Sequence, residues 1–343
     1  VLVGGFLQAI CQLPAVVRLG LHFKFMNPLK ALKNEGMKHV LLLMAPTLVG
    51  IAAYEFNAFI CTGLAYGVGA ATSIQISLRL QELILGIFVV SVATVLLPEL
   101  TGYASSQNWE AFVKQFSLGL SAIILIAIPV SVFSIIERVD IVAVLFQDGK
   151  FNRASVLATA SIFFMHSLGL VFIAVNRVIT PVFYAQKDAK QPMIAGILSF
   201  LTNTAIAWIL SRVIGGNGIA AALSIASAVN TFILLVMLTK KHIPGMNKAL
   251  MASGIYSLKM LLYSIPAGTA AWGTAKLLHS VTDTSSNRFV FAGIPFLGSA
   301  IVFVAIGIGT LLVFRDPVAG YILQALRSRQ RSAPALSDDG DSL

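Results

Sequence analysis

The chain has 343 residues, of which 57% are hydrophobic and 11% charged, and its mean hydropathy is +0.87. Soluble domains carry about twice that share of charged residues, so the composition excludes an ordinary soluble protein and indicates a polytopic membrane protein. The net charge of +10 could suggest nucleic-acid binding, but the basic residues are dispersed among short connections rather than gathered on one face. Cys11 and Cys61 form no CxxC motif and have no metal-ligand spacing, so we predict neither a disulfide, a metal site nor a cofactor.

Apolar runs close to the bilayer-spanning length of about 20 residues follow one another along the chain. They lack the alternation of polar and apolar residues that is typical of barrel strands, so we predict an all-α polytopic bundle with about nine transmembrane helices. The first run starts at Val1 without a methionine or a signal peptide, and we expect the C-terminal part of a longer protein. The predicted spans are 1–17, 39–64, 72–98, 115–136, 154–180, 193–213, 218–238, 254–275 and 289–314.

Lysine and arginine are unevenly divided between the two sets of alternate connections. One set carries 16 of them and the other carries 6. Because cytoplasmic loops collect positive charge, we predict that the C-terminus is cytoplasmic, together with the connections 21–38, 101–113, 184–192 and 240–253. The tail 315–343 is polar and rich in small residues toward its end, where we expect disorder.

The span 72–98 is apolar but carries an arginine and a glutamate well inside it. On a helix, Gln75, Arg79, Glu82 and Gly86 lie on one face. Ionisable side chains at membrane depth are costly, and they usually face a bundle interior or a transport pathway. This polar stripe therefore predicts a water-filled cavity along the helix.

Glu55 in the preceding span lies at a similar predicted depth. If the external turn centres near Gly67, Glu55 and Arg79 are each 12 residues from it, or about 18 Å along the helix axis. A Glu55–Arg79 ion pair would be a purely structural explanation of both charges. With Glu82 also present the cluster would be net negative, so one carboxyl could hold a proton, or a cation could bind there.

Five groups of motifs follow one another along the chain: QLPAVVRLG (12–20), RLQE (79–82) with TVLLPELT (94–101), LFQDGKF (145–151), FYAQKDAKQP (183–192) and GGNGIAAALSIASAVN (215–230). In this order they resemble the motifs of the MurJ (MviN) lipid II flippases of the multidrug/oligosaccharidyl-lipid/polysaccharide (MOP) exporter superfamily. The family's eighth helix carries a functionally important arginine with a glutamate three residues on, as at Arg79 and Glu82.

The resemblance implies a MATE-like MOP exporter fold, in which the nine spans are helices six to fourteen of a fourteen-helix protein. Residues 1–20 would then be the last helix of the first lobe, 21–38 a cytoplasmic linker and 39–240 the second six-helix lobe. Residues 254–314 would form two extra helices with a groove for a lipid tail. Five helices of the first lobe would be missing, and half of the substrate site with them.

The resemblance also implies a function: translocation of lipid II from the cytoplasmic to the outer leaflet of the bacterial cytoplasmic membrane by alternating access. Arg79 would contact the pyrophosphate head group, because guanidinium is always charged and binds phosphate bidentately. Glu82 would orient Arg79 or compete for it. Arg177 would either receive the pyrophosphate on entry or extend to the membrane interface. Glu55 and Glu82 are candidates for coupling to a proton or to sodium, since the chain has no ATP-binding motif.

Alternatives remain open. A related MOP exporter of drugs or other polysaccharide-linked lipids would usually lack the last two helices, and a non-transporting membrane scaffold could keep the helices and lose the cavity. No nucleophile–base constellation indicates an enzyme. His166 is interpreted as a packed, hydrogen-bonded histidine. Asn203 lies where some family members have a sodium ligand, but Ala207 follows instead of an acid, so no sodium site is predicted there.

Overall fold

A computed structural model of the chain describes residues 34–88, 90–282 and 287–320, with isolated positions between 5 and 18. Most of the first predicted span and of the predicted linker, and the tail beyond residue 320, lie outside the described residues. Within the described residues the regular structure is helical, apart from an isolated bridge between Asp148 and Phe151. The predicted all-α fold class is thereby confirmed.

The described residues between 35 and 313 form ten α-helices in sequence. The last of them is preceded by a π-helical turn, Phe289–Gly293. The helices are α1 (Glu35–Gly67), α2 (Ala71–Phe88), α3 (Val90–Ser105), α4 (Trp109–Ile136), α5 (Arg138–Phe146), α6 (Arg153–Ala185), α7 (Lys190–Ile214), α8 (Gly216–Thr239), α9 (Met246–Thr282) and α10 (Ile294–Val313).

Five segments are long and apolar enough to cross a membrane, judged by length and composition within the described residues. They are α4, α6, α7, α8 and the segment Phe289–Val313, and they coincide with five of the predicted spans. The predicted span 72–98 corresponds to α2 and to the first nine residues of α3, which lie on either side of residue 89. The total of nine crossings stays a prediction.

Large apolar side chains on the outer faces of these helices are exposed. Val213 on α7, Phe232 on α8 and Ile301 on α10 are all more than half exposed. Apolar surface that is continuous over several helices would aggregate in water. The exposure is therefore what a lipid-facing surface requires.

The chain divides into two compact units, residues 1–48 and 49–343, and the core lies in the second unit. Its largest cluster is built on α4 and α6. Phe112, Phe116 and Ile124 of α4 pack in one cluster with Leu170 and Phe183 of α6, all nearly inaccessible to solvent. The helix α2, which carries the candidate site, packs against this core through Leu85.

The helices α6 and α8 approach closely because small residues face each other. Gly169 of α6 lies against the backbone of Ser224 in α8, and the Ser224 hydroxyl donates to the carbonyl of Met165 at 2.6 Å. Close approach through small residues, with hydrogen bonds across the interface, is how membrane helices associate when lipid competes for apolar contact.

The helices α9 and α10 pack on each other and on α4. Ala267 and Ala271 of α9 and Phe303 of α10 form an apolar cluster with Val132 and Phe133 of α4. The treatment of this pair as a separate groove-forming unit stays a prediction.

The beginning of the predicted tail is ordered. Asp316 is buried, accepts a hydrogen bond from the Tyr256 hydroxyl at 3.0 Å and pairs with Lys259 at 3.2 Å (Nζ to Oδ2). Its Oδ1 also accepts from the backbone amides of Val318 and Ala319. Asp316 thus joins the end of α10 to α9.

Candidate functional site

The polar stripe of α2 lies on the exposed side of that helix. Gln75, Arg79, Glu82 and Gly86 are all exposed, while the opposite side buries Leu80 against other helices. The i, i+4, i+7, i+11 spacing therefore places one side of α2 in packing contact and leaves the other side open.

Arg79 and Glu82 form an ion pair within the stripe. The distance from Arg79 Nη1 to Glu82 Oε2 is 3.6 Å, and the two side chains are 81% and 53% exposed. An exposed pair of this kind contributes only about 0–1 kcal/mol. Arg79 is therefore weakly held, and an incoming anion could displace Glu82 from it.

Glu55 is not brought into contact with this pair. It lies on the exposed side of α1, and in the part of the chain that the structure describes it has no ion-pair partner within 4.0 Å. Of the two glutamates predicted to share Arg79, Glu82 is the one found beside it. A role for Glu55 in ion coupling stays a prediction.

Arg177 is exposed on α6, eight residues before the helix ends at Ala185. That distance corresponds to about 12 Å along the axis, near the end of the helix that is predicted to be cytoplasmic. Among the described residues it forms no ion pair within 4.0 Å. Its position fits both predicted roles equally, an interfacial arginine or a first contact for an anion.

A buried set of hydrogen bonds holds the opposite face of α2. The Ser77 hydroxyl lies 2.6 Å from Nδ1 of His166, and Gln81 Nε2 donates to the His166 carbonyl at 2.8 Å. His166 is 1% exposed, which confirms it as a packed, hydrogen-bonded residue. These bonds oppose rotation of α2 about its axis and so keep Arg79 and Glu82 on the open side.

Sequence reasoning missed Ser77 and Gln81 as partners of His166. The available signal was their spacing, since residues four apart on a helix share a face, and here that face is opposite to the charged stripe. The partner helix could not be named, because His166 is 89 residues away from Ser77.

Asn203 also bonds across helices. Its Nδ2 donates to Asn57 Oδ1 at 2.5 Å and contacts Cys61 Sγ at 3.2 Å, both on α1. Its own Oδ1 is buried without a hydrogen-bond partner among the described residues. Those same residues include no group of three or more His, Cys, Asp or Glu side chains arranged to hold a metal ion.

The connection between α6 and α7 is anchored by one acid. Asp188 pairs with Lys241 at 2.7 Å (Oδ2 to Nζ), and its Oδ1 accepts from the amide of Gln191 at 3.3 Å. The aspartate of the FYAQKDAKQP motif therefore ties this turn to the end of α8.

The fold and the apolar spans define a polytopic helical membrane protein. A family model described as Lipid II flippase MurJ matches residues 1–289. The chain belongs to this family, and the resemblance seen in the motifs is confirmed.

Individual relatives with similar sequences belong to the same family. The chain is 38% identical over 332 residues to the probable lipid II flippase MurJ of Treponema pallidum, covering 95% of this chain and 62% of that protein. It is 28% identical over 246 residues to the lipid II flippase MurJ of Burkholderia cenocepacia, covering 71% of this chain and 48% of that protein.

A solved structure supports the fold. The lipid II flippase MurJ in an inward closed conformation superimposes with a TM-score of 0.64 at 23% sequence identity, covering 88% of this chain and 59% of that one. The chain therefore spans less than two thirds of the length of each of these proteins.

Proposed function

We propose that this chain takes part in moving lipid II from the cytoplasmic to the outer leaflet of the bacterial cytoplasmic membrane by alternating access. The observation that carries the proposal is Arg79, a guanidinium on a membrane helix that is 81% exposed and held by one weak ion pair. Family membership supplies the substrate class. The activity is transport, with no bond made or broken in the substrate.

The chemistry of the substrate suits this side chain. A lipid-linked pyrophosphate presents two acidic groups that must leave water while the polyprenyl tail stays in the bilayer. Arginine remains charged in such surroundings and can donate two parallel hydrogen bonds to phosphate. In the proposed cycle the pyrophosphate displaces Glu82 from Arg79, and Glu82 recovers the arginine after release.

Arg177 and Glu55 have secondary roles in the proposal. Arg177, near the end of α6 predicted to be cytoplasmic, is proposed as an early contact for the pyrophosphate. Glu55 and Glu82 are the candidate carboxyls for a coupling ion, a proton or sodium. The proposed topology is multi-pass with a cytoplasmic C-terminus.

The openness of the stripe favours a transporter over a scaffold. A scaffold would keep Arg79 enclosed and paired within protein, whereas among the described residues its side chain is exposed. A related exporter remains the alternative, and the helices α9 and α10, which such exporters usually lack, count against it.

The test is complementation of a flippase-depleted bacterium with the complete gene that encodes this chain, as wild type and as Arg79→Ala. We expect the variant to fail to restore growth, and Arg79→Lys to restore it partially, because lysine keeps the charge and loses the bidentate geometry. The matched control is Arg212→Ala, an exposed arginine on α7 that lies over the Trp208 ring and outside the stripe.

All variants are compared at equal abundance in the membrane. Full rescue by Arg79→Ala would remove the assigned role. Glu55→Gln and Glu82→Gln are measured in parallel, and unchanged pH and cation dependence in both would remove the coupling part of the proposal.

A further inference from the structure

A second set of ionisable groups lies at the junction between α4 and α5. Glu137 follows the last residue of α4 and precedes the first of α5. It is 2% exposed, and its Oε1 atom is buried without a hydrogen-bond partner among the described residues. A buried carboxylate oxygen without a partner is costly, so something beyond the described contacts is required there.

Glu137 is close to another acid. The carboxyl of Asp140, on the first turn of α5, lies within hydrogen-bonding reach of it, as does the hydroxyl of Ser299 in α10. Asp140 in turn contacts His279 of α9, with 2.9 Å between Oδ2 and Nε2. The two carboxyls therefore stand where α5, α9 and α10 meet.

The two acids differ in how many positively charged groups lie near them. Asp140 is compensated by His279 and by Arg153 at the start of α6, whereas the described partners of Glu137 are a hydroxyl and another carboxyl. Arg138 is directed elsewhere, since its Nη1 donates to the carbonyl of Ile135. Around the two acids, the described ionisable groups that line the same cavity are Arg153 of α6 and Lys276 and His279 of α9.

Two adjacent buried carboxyls do not both ionise readily, because each charge raises the cost of the other. Burial, reinforced by the neighbouring Asp140, raises the pKa of Glu137 to about 7. Burial also raises the pKa of Asp140, against the opposing effect of His279. Glu137 is therefore the member of the pair that takes up a proton near neutral pH.

A cavity gives water access to the pair. It measures about 270 Å³, several times the roughly 30 Å³ that a water molecule occupies in the liquid. Its walls include Glu137, Asp140, Arg153, Trp272 and Lys276. Water in this space can exchange a proton with the Glu137–Asp140 pair, because both residues line it.

We propose that the Glu137–Asp140 pair is a proton-binding site, filled through this cavity, whose occupancy controls how firmly α9 and α10 pack against the α4–α5 junction. With the proton bound, Glu137 is neutral and donates a hydrogen bond to the Asp140 carboxylate. The contacts of Asp140 with His279 and of Glu137 with Ser299 are then retained. Without the proton, two adjacent carboxylates repel each other at the point where α9 and α10 are held. The site is separate from the Arg79–Glu82 stripe on α2.

Trp272 makes the proposal measurable, because it lines the cavity. The experiment uses the full-length protein in detergent with Trp109→Phe and Trp208→Phe, so that among the tryptophans of this chain Trp272 alone remains. Acrylamide quenching of its fluorescence is recorded between about pH 5 and pH 9, a range centred on the pKa of about 7 for Glu137. We expect quenching to rise as the pH passes through about 7.

Variants identify the titrating group. Glu137→Gln should abolish the transition, because the amide cannot ionise. Ser299→Ala should move the midpoint to higher pH, because the hydroxyl stabilises the charged carboxylate. His279→Gln should keep a transition, which separates the Glu137 carboxyl from the neighbouring imidazole as the group responsible.

The behaviour of the variants distinguishes titration of Glu137 from titration of another group. A transition lost in Glu137→Gln and kept in His279→Gln supports the site. A transition that persists in Glu137→Gln, or is absent from the parent protein, overturns it. If Glu137→Gln does not fold, the direction of the Ser299→Ala shift decides alone: an unchanged or lowered midpoint overturns the proposal.

Discussion

Replacement of Gly169 by alanine tests the close contact between α6 and α8. A Cβ at this position would lie 2.7 Å from the Cα of Ser224 and 2.5 Å from its Oγ. Carbon atoms in contact are normally about 3.5–4.0 Å apart, so the two backbones would have to separate by about 1 Å. Because the nearest carbon belongs to the backbone, rotation of a side chain cannot relieve the clash.

The expected cost follows from three contributions. Overpacking of a close interface costs about 1–3 kcal/mol. Separation of the helices also lengthens the bond from the Ser224 hydroxyl to Met165, and hydrogen bonds between membrane helices average about 0.6 kcal/mol. The gain in helix propensity from glycine to alanine returns at most about 1 kcal/mol. We expect Gly169→Ala to destabilise the protein by about 2 kcal/mol.

The assay is thermal unfolding of the purified protein in detergent. The matched control is Gly196→Ala on α7, where an added Cβ would meet nothing within 4 Å. The control should be neutral or slightly stabilising, whereas Gly169→Ala should unfold several degrees lower. Equal stability of the two variants would refute the close α6–α8 packing.

Two ion pairs give further predictions, measured by the same unfolding assay. Asp188→Asn should cost about 1 kcal/mol, because it removes the charge that pairs with the partly buried Lys241; the loss should shrink in a Lys241→Gln background, and an undiminished loss would contradict the pairing. Asp316→Ala should cost about 3 kcal/mol, because the Tyr256 hydroxyl and the Lys259 ammonium lose a common acceptor. Lys259→Gln is the control and should cost less, since that side chain is one-third exposed.

Several features could be read directly from residue patterns. Long apolar runs predicted the helices, because membrane depth allows no other local structure for a single segment. The face of α2 that carries Arg79 and Glu82 followed from helical periodicity, and both side chains are exposed in the structure. Family membership followed from motifs in order, since local sequence survives where the turn or helix it forms is retained.

The burial of Glu137 could not be predicted from the residue pattern. Next to Arg138, at the end of an apolar run, Glu137 has the pattern of an ordinary charged loop residue. Its burial and its contact with Ser299 depend on how α9 and α10 return to pack on α4.

The sequence by itself determined the class of protein, the course of its helices, the polar stripe on α2 and the family, because these depend on composition and short-range spacing. Only the tertiary structure decided which distant side chains meet: His166 beneath Ser77, and Asp140 against His279, 139 residues further along the chain. Such pairings depend on which helix faces pack together. That choice is made by the shape of all the interfaces at once, and no local spacing encodes it.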